Sequence, residues 1–115
     1  SYCLGLVADP DFSPDGNTII FEKLLSTSEN SGLGRWNIFS ASLSGLDQNV
    51  TNLTNDPTAF QAVPRTSEEG ILFHEVDMHK PFYGLVMTDL DGSNRRVILD
   101  NSTWAYFILS ASWLP

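Results

Sequence analysis

The sequence has a single cysteine, Cys3, so no disulfide can form within it. Its thiol reads either as a small buried hydrophobe or as an intermolecular partner. Positive charge is also scarce. Six Lys and Arg stand against 14 Asp and Glu, giving a net charge of −8 over 115 residues. A nucleic-acid surface needs a basic stripe, and a polybasic membrane anchor needs clustered Lys and Arg, so the balance argues against both. No apolar run approaches the ~20 residues that span a bilayer. No basic start leads into an apolar centre as in a signal peptide. A start at Ser1 without Met is expected of a processed chain or of a piece of a longer one. Apolar residues at three- and four-residue spacing are missing as well, which leaves little to build an α-helix.

What the sequence does contain is a series of short apolar segments rich in Ile, Val and Phe, separated by Gly, Asn, Asp and Pro. They predict strands at Leu4–Ala8, Thr18–Leu25, Trp36–Leu43, Asn49–Leu53, Phe60–Val63, Ile71–Val76, Tyr83–Leu90, Arg96–Leu99 and Tyr106–Trp113. The segments repeat. Gly16 and Ile19-Ile20-Phe21 correspond to Gly70 and Ile71-Leu72-Phe73. The stretch Trp36–Gly45 corresponds to Tyr83–Gly92, an offset of 92 − 45 = 47. The terminal Ala111–Pro115 lines up with Pro10–Pro14 and opens a third copy.

Four strands in roughly 50 residues is the arithmetic of a β-propeller blade. The dense turn before Ile19 then has a cause. Pro14 presets φ, Asp15 can hydrogen-bond its own backbone, and Gly16 supplies a positive φ. Ser44-Gly45 and Asp91-Gly92 serve the later hairpin in each copy. The continuous apolar runs at Ile19–Phe21 and Ile71–Phe73 suit middle strands covered on both faces. The expected fold is all-β: two four-stranded blades, about 4–56 and 57–103, plus the first strand of a third at about 104–115.

Phe12-Ser13-Pro14-Asp15-Gly16 with Ile19-Ile20-Phe21, and Trp36-Asn37-Ile38-Phe39 leading to Leu53-Thr54, resemble the WD-like β-propeller repeat of the TolB family. Tyr83–Asn94 is similar to that repeat's third strand and turn. Thr66-Ser67-Glu68-Glu69-Gly70 departs from the pattern, which has an aromatic followed by Ser-Pro-Asp-Gly. The resemblance implies architecture more than function, because such repeats serve periplasmic proteins, the propellers of prolyl-oligopeptidase-like peptidases and other extracellular proteins. Related propellers have about six or seven blades. Two blades alone would leave apolar sheet faces in water at a cost of several kcal/mol, at roughly 25 cal/mol per Å². The expected partners are therefore other blades, from the same longer chain or from identical subunits. Three copies would make a ring and unclosed repetition a filament.

Chemistry-bearing motifs are few. His74 and His79 are five apart on a strand and its exit, so they point to opposite faces and do not form a helical metal pair. Asp89 and Asp91 resemble a calcium loop but lack Glu at the twelfth position, which is Asp100. Asp9, Asp11 and Asp15 form a second carboxylate group for which calcium competes with turn capping. No cofactor is otherwise expected. Ser42-Leu43-Ser44-Gly45 lacks the leading Gly of a nucleophile elbow, and Glu68-Glu69 need only a turn. Trp36 and Trp113 fall at core positions of the repeat, while Trp104, in a loop, is the candidate for stacking on a glycan. Three N-x-S/T sequons place candidate glycosylation at Asn49, Asn52 and Asn101 and favour a secreted or periplasmic chain. The expected function is a non-catalytic extracytoplasmic module for protein or glycan binding or structural assembly. The alternatives are the propeller portion of a hydrolase lacking its catalytic domain, and a self-assembling ring or filament subunit.

Overall fold

The computed structural model describes residues 5–44 and 50–101. Eight strands form one open mixed sheet: β1 Val7–Phe12, β2 Thr18–Ser26, β3 Arg35–Ser42, β4 Val50–Asn52, β5 Phe60–Ser67, β6 Gly70–Asp77, β7 Phe82–Thr88 and β8 Arg96–Leu99. Among the described residues there is no α-helix, only a short 3-10 turn at Asn30–Gly32.

The sheet consists of two antiparallel meanders, β1-β2-β3-β4 and β5-β6-β7-β8. A single parallel residue pair, Trp36 with Phe60, joins them. The Trp36 amide donates to the Ala59 carbonyl at 3.0 Å, and the two rings meet edge to face. The register makes the two meanders equivalent position by position. Ala8 lies opposite Glu22, and Ala62 lies opposite His74. Phe21 lies opposite Phe39, and Phe73 lies opposite Val86. The repeat visible in the sequence is therefore a repeat of pairing.

Side chains alternate faces along each strand. Ile20 and Ile38 of the first meander meet Ile71, Phe73 and Val86 of the second in one fully buried cluster, with Leu53 and Phe82 packed against it. Burying each such side chain contributes about 2 kcal/mol. The meanders therefore pack face to face. Their other sides face away from this cluster, with Ile19, Phe21, Lys23 and Phe39 on the first and Leu72, His74, Val76 and Leu85 on the second; of these, Phe39 and Leu85 are themselves buried.

Most predicted strands fall within one or two residues of the observed ones. Two need correction. The first strand lies at Val7–Phe12 and not at Leu4–Ala8, and the fifth continues past Val63 to Ser67. Both contain a bulge that the alternation rule cannot anticipate. The bulged residues, Asp9 and Val63, have φ 50° and 53°, and each precedes a proline, Pro10 or Pro64. The proline reads as a strand end, but the bulge lets the strand run on through it. The strand expected at Tyr106–Trp113 lies outside the described residues, as do Cys3, Gly45, Asn49, Trp104 and Trp113.

The meanders also join at the loop end. Asn30 is 2% exposed, and its amide donates to the carbonyls of Thr58 at 2.8 Å and of Gly34 and Val76 at 3.3 Å. Its oxygen accepts the Met78 amide at 2.7 Å. The long loop of the first meander is thereby fastened to the short loop of the second.

Candidate functional site

Three groups of polar side chains sit along the seam between the meanders. The first is acidic. Asp11, on β1, accepts the Thr66 amide at 2.9 Å and the Thr66 hydroxyl at 3.3 Å. Glu22, on β2, is 5% exposed and accepts the Val63 amide at 2.7 Å. Two carboxylates of the first meander thus hold the first strand of the second. Burial drives the Glu22 carboxyl up to about 7, and the neighbouring Asp9 carboxyl adds to the rise, against the opposing pull of the Val63 N–H. Glu22 therefore holds its proton to a higher pH than an ordinary carboxylate does.

The second group is a buried chain. The Thr54 hydroxyl accepts the Ile38 amide at 3.1 Å and donates to Gln61 at 2.6 Å. The Gln61 amide donates to Glu75 at 2.9 Å, and Arg95 pairs with the second Glu75 oxygen at 2.6 Å. Arg95 also lies over the Phe82 ring. Glu75 is 1% exposed, and each of its oxygens has a partner. Asp77, equally buried, accepts from the Thr58 hydroxyl and the His79 amide.

The third group lines an open cleft of about 390 Å³ at the turn end of the seam. Asp15 comes from the β1–β2 turn and Asp91 from the β7–β8 turn. Ser13, Ser40 and Thr51 add hydroxyls, and Ile20, Leu53 and Leu90 supply an apolar floor. The Asn17 amide and then the Ser13 hydroxyl hold the Asp15 carboxyl below its ordinary range. The hydroxyl and amide of Ser93 do the same for Asp91. Both are exposed and ionised at neutral pH. The cleft therefore offers fixed negative charge, hydroxyls and a small apolar base, a lining suited to the hydroxyl and ring faces of a sugar or to polar side chains of a protein.

The turn residues singled out in the sequence are thus brought together from two copies of the repeat. Gly16 has φ 75° and Gly92 has φ 88°. Gly92 has a second role, because a Cβ there would strike the Leu53 carbonyl oxygen. Only glycine lets the second meander's turn seat against the first meander's outer strand. Pro14 sits in the Ser13–Gly16 turn, which closes through the Gly16 amide to the Ser13 carbonyl at 2.9 Å.

The other candidates are dispersed. Asp9, Asp11 and Asp15 point to three different tasks, and Asp89 pairs with Arg96 at 3.1 Å, apart from Asp91. Among the described residues no three His, Cys, Asp or Glu are grouped to hold a metal ion. His74 is half-buried, and burial pulls its imidazole down to about 4, so it is neutral at pH 7. Asn52 donates to Asn37 at 3.1 Å and accepts the Asn55 amide at 2.8 Å. Asn101 is exposed and donates to the Pro81 carbonyl at 3.3 Å. The Trp36 indole donates to the Leu33 carbonyl at 3.2 Å.

Glu22, Gln61, Glu75 and Asn30 were not singled out from the sequence. The available signal was a polar residue interrupting an apolar strand, as in Ile20-Phe21-Glu22-Lys23-Leu24. Comparison with family models, with curated proteins and with solved structures gave no match. No helix among the described residues is long and apolar enough to cross a membrane.

Proposed function

We propose that the chain is a pair of TolB-like propeller blades acting as a non-catalytic, extracytoplasmic module for protein or glycan binding and for structural assembly. The observation that carries this reading is the equivalence of the two meanders. Their strands pair in the same register, and the outer-facing residues of one copy correspond to the seam residues of the other. Stacking of equivalent sheets face to face is how blades build a propeller. The acidic and histidine side chains support the non-catalytic part of the reading. Asp11, Glu22, Glu75 and Asp77 spend their oxygens on holding the seam and loops together. The sequons at Asn49, Asn52 and Asn101 support a secreted or periplasmic location.

On this reading the cleft between Asp15 and Asp91 is where a ligand meets the module. Immobilised oligosaccharides and peptides provide the test. Capture that is weakened at least fivefold by Asp15→Asn or Asp91→Asn is the expected result. Capture unaffected by either change, or turnover of a peptide substrate by the purified chain, would overturn it.

A further inference from the structure

We propose that the β1 bulge at Asp9-Pro10 is a proton-operated catch: a carboxyl hydrogen bond between Glu22 and Asp9 holds the start of β1 on β2, and loss of that proton releases it. The device lies in the β1–β2 pairing and depends neither on the cleft nor on the blade-pair reading. The bulge is strained and lightly held. Asp9 has φ 50° and precedes a proline, a backbone that a non-glycine residue keeps only where its surroundings enforce it. Val7, Asp9 and Pro10 are exposed. Before the bulge, β1 is tied to β2 by the pairs Val7–Lys23 and Ala8–Glu22. Two bonds of 2.9 Å continue the tie, from the Gly5 amide to the Leu24 carbonyl and from the Leu24 amide to the Leu6 carbonyl. After the bulge the strand is anchored to the second meander instead, where Asp11 accepts the Thr66 amide.

The charges around Glu22 leave the pair without a cation. From β1 come Asp9, within hydrogen-bond reach, and Asp11, engaged by Thr66. β5 brings only Arg65, which is exposed and bonds to the Pro64 carbonyl. Arg35 of β3 pairs with Ser26 at the far end and bonds to the Asp56 carbonyl. On β6, Glu75 is taken by Gln61 and Arg95, Asp77 by Thr58 and the His79 amide, and His74 faces away from the cluster. Lys23, the neighbour on β2, lies over the Phe39 ring. Among the described residues, no ion pair reaches Glu22 or Asp9. The second meander repeats the bulge without the pair. Val63 stands where Asp9 does, with φ 53°, and His74 where Glu22 does. Of the two bulges, only the first holds a pair of carboxyls. Burial first, and Asp9 after it, raise the Glu22 carboxyl from 4.5 to about 7 against the pull of the Val63 amide, so the catch is closed below pH 4.5 and opens as pH rises through 7. Once both groups are ionised they repel, and Asp9 relieves the repulsion by leaving its positive φ and carrying Gly5–Ala8 off β2. Release uncovers the amide and carbonyl of Leu24.

Hydrogen exchange read residue by residue by NMR on the 115-residue chain provides the test. The readout is the protection of the Leu24 amide divided by that of the buried amides of β6 and β7, a ratio that a change in global stability alone leaves constant. Between pH 5.5 and pH 8 the wild-type ratio is expected to fall at least about tenfold. Glu22→Gln, which has no proton to lose, is expected to hold the ratio constant. Asp9→Asn, at an exposed position, is expected to shrink the fall, because its amide can still donate to an ionised Glu22; it carries the test alone if Glu22→Gln does not fold. A wild-type ratio that stays constant overturns the proposal, since Glu22 would then ionise without moving β1. A ratio that falls as far in the variants as in wild type overturns it equally.

Discussion

Replacing Glu22 by Gln isolates the effect of one buried proton. The Glu22 carboxyl is raised from 4.5 to about 7, with burial the first cause and Asp9 a lesser one. A raised carboxyl means that the folded state holds a proton the unfolded chain has already released. The associated stability is complete below pH 4.5 and is lost as pH rises toward 7. Two and a half pH units at about 1.4 kcal/mol each put the loss at about 3 kcal/mol. Glutamine keeps an oxygen for the Val63 amide and an N–H for Asp9, but has no proton to lose. Urea unfolding followed by tryptophan fluorescence at pH 4, 6 and 8 should therefore show the variant level with wild type at pH 4. At pH 8 it should be more stable by up to about 3 kcal/mol. Asp9→Asn should recover only part of that gain, because burial remains. Wild-type and variant stabilities that run parallel from pH 4 to pH 8 would show that Glu22 does not titrate at the seam, and the reasoning would fail.

Other outcomes follow from the same packing. Gly92→Ala forces a side chain against the Leu53 carbonyl at positive φ and should cost about 2 kcal/mol or more in a urea midpoint measurement, whereas Gly16→Ala, with φ 75° but open space around it, should cost about 1 kcal/mol. Asn30→Ala strands the Met78 amide and three carbonyls and should lower stability by about 2–3 kcal/mol, with hydrogen exchange rising first at Met78. Arg95→Met leaves Glu75 buried without its cation and should cost about 3 kcal/mol; adding Glu75→Gln should return most of it, a coupling that a double-mutant cycle reads directly.

The sequence shows its strands because each is a short β-branched or aromatic run closed by turn residues, and Thr18–Leu25 and Arg96–Leu99 fall almost on the observed bounds. The first and fifth strands were misjudged because Asp9-Pro10 and Val63-Pro64 carry the local signature of a turn, while the pairing partners that keep them in the sheet lie up to 16 residues away. The cleft was half legible. Pro14-Asp15-Gly16 and Asp91-Gly92 mark turns by local chemistry, but nothing local says that two turns 76 residues apart, 91 − 15, share one opening. The seam acids were invisible for a related reason. Glu22 and Glu75 each interrupt an apolar strand, yet Glu22 reaches Val63 across the seam and Glu75 reaches Arg95 within its own meander. Tertiary packing, not spacing, assigns those roles.

The bulges at Asp9-Pro10 and Val63-Pro64 also bear on misassembly. An uncovered strand border is an invitation to cross-β growth, since its free amides and carbonyls template any extended chain. A proline removes one of those amides, and the kink beside it breaks the straight row that amyloid stacking requires. The border formed by β1 is blunted in this way. That side of the sheet is therefore a poor template for a further extended chain, although its strand is otherwise open to solvent.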